Sequence, residues 1–127
     1  MLYLGTWPNS QVLIIFRSGN IMDQTTRERC EARAGVLKAL AHPTRLFIVD
    51  ELSRQERCVC ELTEMIGADV STVSKHLAVL RQAGLVLDER RGVQIFYRLR
   101  VPCILNFFGC VEAVIAETER SAHAGAR

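Results

Sequence analysis

The chain has 127 residues, 49% of them hydrophobic and 24% charged, with a net charge of +2. That is length enough for one domain with its own core, and the composition is that of a folded protein rather than a disordered one. The longest early apolar run, Val12 to Phe16, falls short of the roughly 18 residues that span a bilayer and follows no basic segment, so neither a membrane span nor a secretory signal is expected, and the expected compartment is the cytoplasm. Thiols stay reduced there, so five cysteines, an odd number, read as metal ligands, reactive thiols or packing residues, not as a disulfide framework.

Residues 1–21 differ from the rest, with a Trp-Pro pair and the apolar run "QVLIIF". Met22 follows, so they read either as an upstream extension of a chain starting at Met22 or as an N-terminal arm whose "QVLIIF" forms a strand or packs on a partner. A first helix is expected over Asp23 to Leu40, capped by Thr25 or Thr26, with Val36, Leu37 and Leu40 as its apolar stripe. "AHP" breaks it, and Pro43 opens a second helix with Leu46, Ile48, Val49 and Leu52 as core candidates. The next segment, "QERCVCELT", places Cys58 and Cys60 one residue apart among charged neighbours. A short helix, "CELTEMIG", then closes on Gly67, and Ser71 caps a following helix, "TVSKHLAVLRQAG", with Val73, Leu77 and Leu80 inward. Helix, short turn, helix is the arrangement that lays its second helix in the DNA major groove.

"LVLDERRGVQIFYRLR" alternates in two arms around Arg91-Gly92, a β-hairpin placed as a wing. Pro102 opens a last helix with Ile104, Phe107, Phe108, Val111, Val114 and Ile115 along one side, rich enough to serve dimerisation as well as the core. "SAHAGAR", 121–127, is expected to be a flexible, frayed tail. The organisation is therefore 1–21 as arm or extension, 22–120 as a winged-helix DNA-binding and dimerisation domain, and 121–127 as tail, in a mainly α fold with one β-hairpin. Between Ser71 and Arg100 there are six basic and two acidic residues, a local +4 on a body summing to −2, the footprint of a protein that meets phosphate. Ser71, Thr72, Ser74, Lys75 and His76 occupy the start of the second helix of the motif, and Arg90, Arg91 and Gln94 the wing. These eight are the expected DNA contacts.

In order and spacing, "LKALAHPTRLFIV", "CVCELTEMIG", "STVSKHLAVLRQAGLV" and "RRGVQIFYRL" resemble the ArsR/SmtB metalloregulatory repressors over Val36 to Leu99. The resemblance implies a winged helix-turn-helix homodimer, joined through its first and last helices and bound to an inverted repeat in double-stranded operator DNA. Release follows when an inducer binds thiol or imidazole ligands. "CVC" resembles the branch that answers As(III) or Sb(III), or the soft cations Cd(II) and Pb(II), with no organic cofactor. Members of that branch often carry a third cysteine where this chain has Thr63. The Asp and His ligands of members sensing zinc, cobalt or nickel through the last helix are missing here.

The chemistry of the pair supports soft-metal capture independently. A helix N-terminus and Arg57 favour thiolate, the donor preferred by soft ions. Residues two apart point about 200° away from each other on a helix, so joint chelation requires the helix to begin after Cys60 or its first turn to unwind. As(III) takes three thiolates, and the third is expected from Cys103, Cys110 or Cys30; Cys103 and Cys110, seven residues apart, lie about 10 Å apart along a helix and cannot both join. His42 reads as a local turn residue. The alternative function is a thiol-redox or persulfide-responsive repressor of the same fold, for which the "CVC" spacing is unfavourable because the ring it closes is strained. No glycine-rich phosphate loop, carboxylate pair or catalytic signature accompanies the thiols, so the chain does not read as an enzyme.

Overall fold

The computed structural model describes residues 22–125; the expectations for residues 1–21 lie outside them. The elements are α1 (Gln24–Leu40), α2 (Pro43–Arg54), β1 (Arg57–Cys58), α3 (Val59–Ile66), α4 (Val70–Gln82), β2 (Val86–Arg91), β3 (Gln94–Leu99) and α5 (Ile104–Gly125). Two compact units divide the chain, Met1–Gly35 and Val36–Arg127, with the boundary inside α1. In the first unit, α1 is capped by Asp23, whose carboxylate accepts from the Thr26 N–H at 2.7 Å, and not by Thr25 or Thr26.

The second unit holds the helix-turn-helix and the wing. His42, in extended backbone, caps α2 by accepting from the Thr44 N–H, and Pro43 takes the first helical position, where its missing N–H costs nothing. α3 ends at Gly67 with φ 72°, a left-handed conformation that glycine adopts without a Cβ clash. Asp69, not Ser71, caps α4, which therefore starts two residues earlier than expected. Beyond α4, Gly84 (φ 78°) lets its own N–H reach the Arg81 carbonyl and the Leu85 N–H reach the Leu80 carbonyl, ending the helix and launching β2.

The sheet has three antiparallel strands in the order β1-β3-β2. β2 and β3 are the expected hairpin, turning through Gly92 and Val93; β1 is a two-residue strand pairing Arg57 with Tyr97 and Cys58 with Phe96. Ile48 and Val49 of α2, Leu62 of α3 and Val73, Leu77 and Leu80 of α4 are fully buried, joined by Val86 and Tyr97 from the wing's base. Each such aliphatic side chain contributes about 1.5–3 kcal/mol by leaving water, so the motif is held by its own core. Leu37 and Leu46, expected inside, are 46% and 40% exposed. α5 rests Ile104 and Phe108 on the core and leaves Phe107, Val111, Val114 and Ile115 exposed. It continues to Gly125, so the tail expected to fray from Ser121 is helical that far.

Candidate functional site

Cys58 belongs to two elements at once: it is the last residue of β1, opposite Phe96, and the N-cap of α3. An N-cap side chain folds back over the first helical turn, towards the free N–H groups. The Cys58 sulfur accepts from the Glu61 N–H at 3.3 Å, while the Glu61 carboxylate accepts from the Cys58 N–H at 2.8 Å, closing a capping box. That turn also carries Cys60, and the two sulfurs meet there as a disulfide with their Cα atoms 5.3 Å apart. Two expectations are corrected. The helix does not need to start after Cys60, because cap geometry rather than strand geometry brings the sulfurs together. The one-residue spacing does not stand against a disulfide, for the same reason.

The pair lines a cleft of about 270 Å³ with Val59, with Val70 and Ser74 of α4, and with Val93, Gln94 and Ile95 of the wing. Cys58 is buried and Cys60 exposed. The Gln94 side-chain amide donates to the Cys60 sulfur at 3.8 Å. Arg57, expected to favour thiolate, spends its charge elsewhere: on the buried Glu51 carboxylate at 3.3 Å and on Glu61 at 3.8 Å. Gln55, its amide oxygen turned towards Arg57, accepts from it at 2.7 and 3.0 Å.

Cys30, Cys103 and Cys110 are free and exposed. Cys30 belongs to the first unit, Cys110 to α5, and Cys103 to the turn before α5 rather than to its first turn. Among the described residues no three His, Cys, Asp or Glu side chains converge as a metal site. The structure thus brings Cys58 and Cys60 together, and within the second unit neither Cys103 nor Cys110 joins them as a metal site.

The expected DNA residues differ in availability. The Ser71 and Thr72 hydroxyls donate to Asp69 at 2.5 and 2.6 Å, and the Thr72 N–H donates to it at 2.9 Å. Those bonds, Ser71's first, hold the Asp69 carboxyl far below the usual range, and each hydroxyl proton given to Asp69 is not free for a phosphate. Ser74 and Lys75 are exposed. His76 is half-buried: its ring lies 4.4 Å from that of His42, and its Nδ1 is 3.3 Å from an Arg45 guanidinium nitrogen. Burial, then His42, then Arg45 push its pKa down. Arg45 also donates to the carbonyls of Ala39 and Lys38, tying the end of α1 to α4 through this cluster.

On the wing, Arg90 donates only to the Gly92 carbonyl, at 3.2 Å. Arg91 is engaged on every side: by both Glu56 oxygens at 2.5 and 3.0 Å, by Glu89 at 2.8 Å, and by the Phe96 ring, whose centre lies 4.6 Å from the guanidinium carbon. Glu56 and then Glu89 hold it more firmly protonated, and Arg91 in turn lowers the Glu89 pKa. Glu56, Phe96 and Asp69 were absent from the residues expected from sequence. Glu56 lies two residues before Cys58, and Asp69 sits in the turn after Gly67, so position alone could have flagged both.

The pattern of the arsR family of bacterial regulatory proteins matches residues 42–87. The chain is 36% identical over 107 residues to the biofilm growth-associated repressor of Xylella fastidiosa, covering 81% of this chain and 94% of that one. It is 42% identical over 73 residues, 58% of its length, to the HTH-type transcriptional repressor SmtB of Mycobacterium tuberculosis, and spans only 54% of that protein. Among solved structures it is similar to a homodimeric winged helix-turn-helix DNA-binding domain from Mycobacterium bovis, a possible ArsR-family regulator, with TM-score 0.67, 30% identity, and 80% and 94% of the two chains covered. The helix-turn-helix, the wing and these similarities together make the chain a member of the arsR family of bacterial regulatory proteins.

Proposed function

We propose that this protein is a transcriptional repressor, released from operator DNA when Cys58 and Cys60 capture As(III) or Sb(III), or a soft divalent ion such as Cd(II) or Pb(II). The observation that carries the reading is the meeting of the two sulfurs in a cleft walled by α4 and the wing. A change at the thiols is therefore a change at both elements that would touch DNA. Sulfur donors suit these ions, and reduction of the pair would free two thiolates that start from one cleft. A third thiolate for As(III) comes from Cys30, Cys103 or Cys110, supplied by the partner protomer or by movement within this one.

The working unit is a homodimer on an inverted repeat, joined through α1 and α5. Support comes from the apolar groove of α2 and α5, where Leu46, Phe47, Phe107, Val111 and Ile115 are exposed; an apolar surface of this kind on a small protein marks an interface. Ser74, Lys75 and Arg90 are the freest of the expected DNA contacts, with Ser71, Thr72, His76, Arg91 and Gln94 held by neighbours. Among the described residues no helix is long and apolar enough to cross a membrane, and a regulator of this kind meets its operator in the cytoplasm.

Fluorescence anisotropy of the reduced protein on its own promoter DNA, titrated with arsenite and separately with cadmium, tests the reading. Release of wild type but not of Cys58→Ser or Cys60→Ser supports it, and the other cysteine variant that fails to respond names the third ligand. The joined sulfurs also favour a second reading, a thiol-redox or persulfide response at the same pair. Release by an oxidant or persulfide but not by either metal selects it.

A further inference from the structure

Arg91 is one of the wing residues expected to meet phosphate and the one least free to do so. Its two terminal nitrogens are taken by Glu56 and Glu89. Two carboxylates neutralise the one guanidinium, so Arg91 has little positive charge left to offer a phosphate, although Arg98 also acts on Glu89. Part of the hold comes from the thiol segment and part from the strand that it pairs with. Glu56 stands two residues before Cys58, and Phe96, beneath the guanidinium, is the residue Cys58 faces across the β1–β3 pairing. A displacement of Cys58 therefore has two short routes to Arg91, through Glu56 and through Phe96.

We propose that Glu56 is a thiol-controlled brake on the wing, holding Arg91 off the DNA backbone while the Cys58 and Cys60 sulfurs are joined. The inference rests on the DNA-binding reading above and adds the route by which the thiols reach the DNA. With the sulfurs joined, β1 lies in register on β3 and presents Glu56 to Arg91, as seen here. With the sulfurs apart, β1 loses its sulfur cross-link to the first turn of α3 and keeps only the cap, and Arg91 can exchange Glu56 for a phosphate. That exchange is cheap, because exposed ion pairs are weak; Arg91 and Glu56 side chains are 44% and 31% exposed.

The test uses full-length protein with Cys30, Cys103 and Cys110 replaced by serine, so that only the pair can react. Diamide joins the sulfurs: two thiols give up two protons and two electrons to the diazene, which becomes the hydrazine. Anisotropy on the promoter fragment is then read from 50 to 200 mM salt for the parent, Glu56→Gln, Arg91→Gln and the double variant, with circular dichroism confirming the fold. Each phosphate contact adds about 0.9 to the slope of log affinity against log salt, so two freed wings per dimer add about 1.8, or an extra roughly tenfold loss across that range. Oxidised Glu56→Gln is expected to bind more tightly at low salt with that steeper slope, Arg91→Gln to leave the parent slope unchanged, and the double variant to match Arg91→Gln. Reducing the parent is expected to bring it to the Glu56→Gln slope. A Glu56→Gln gain that persists in the Arg91→Gln background is a bulk charge effect and overturns the inference, as do equal slopes for oxidised and reduced parent. Reduced parent that is folded but binds no DNA at any salt removes the DNA-binding reading itself, and the inference with it.

Discussion

Glu51 offers a sharp test of how the thiol segment is anchored. It is a buried carboxylate, 5% exposed, reached by Arg54 at 2.7 Å and by Arg57 at 3.3 Å. Glu51→Gln keeps the shape and removes the charge. The Arg54 arm is 62% exposed and its loss costs little. Arg57 is different: its side chain is 20% exposed and its Nε is buried without a partner. Removing one member of a buried pair costs about 3–5 kcal/mol; Gln55 and Glu61 still face Arg57, so the expected loss is about 2 kcal/mol, or roughly 10 °C in Tm for a domain of this size.

Urea unfolding followed by far-UV circular dichroism, at one fixed protomer concentration, measures it. The double variant Glu51→Gln/Arg57→Met is expected to recover most of the loss, because the cost is an orphaned cation and not a missing contact. The loosened β1 is expected to expose Cys58, so iodoacetamide modifies the reduced thiol faster in Glu51→Gln. A loss below about 0.5 kcal/mol, or a double variant no better than the single, would refute the reasoning.

Leu77→Ala removes a fully buried side chain from α4 and is expected to cost about 3 kcal/mol in urea unfolding, taking DNA binding with it. His76 has a lowered pKa in the folded chain, so the unfolded chain binds its proton first. Stability is expected to fall as pH drops below about 6.5 and to go on falling until the folded imidazole protonates; unfolding titrations of His76→Gln should show a flatter dependence across that window. Lys75→Gln removes an exposed cation from the start of α4, and the salt slope of DNA affinity is expected to fall by about 1.8 per dimer, with little change in preference between sequences.

Those features that a residue type decides alone were legible in the sequence. Gly67 and Gly84 end α3 and α4 in left-handed backbone, Pro43 opens α2, and the alternation around Gly92 gives the hairpin. Where several residues could serve, sequence chose the wrong neighbour. Asp23 and Asp69 cap α1 and α4 in place of Thr25 or Thr26 and Ser71, because all are capping types and only backbone geometry ranks them. β1 was invisible, since two residues carry no period and their pairing with Tyr97 and Phe96 is long-range. The same distance hid the Glu56 and Arg91 pair, 35 residues apart in the chain. Leu37 and Leu46 were misplaced because an apolar stripe does not say whether it faces the protomer's own core or the surface.

Placing a cysteine at the α3 cap gives the thiols leverage that an ordinary pair on a helix face lacks. The Cys58 sulfur, joined to Cys60, accepts the Glu61 N–H, and a thiolate in its place would add negative charge at the positive end of the helix, so reduction would strengthen the cap of α3. Bonding the sulfur to a cation, or to Cys60, withdraws electron density from that acceptor and weakens the cap relative to the thiolate without abolishing it, since the joined sulfur still accepts at 3.3 Å. Cap interactions are worth about 0.5–2 kcal/mol, and a dimer carries two of them, so roughly 1–4 kcal/mol stands to change when both sites react. Coupling between sites in regulated proteins is typically about 1–3 kcal/mol. The cap alone therefore reaches the range needed to shift operator affinity, and the Glu56 brake on Arg91 determines where in the protein that shift is felt.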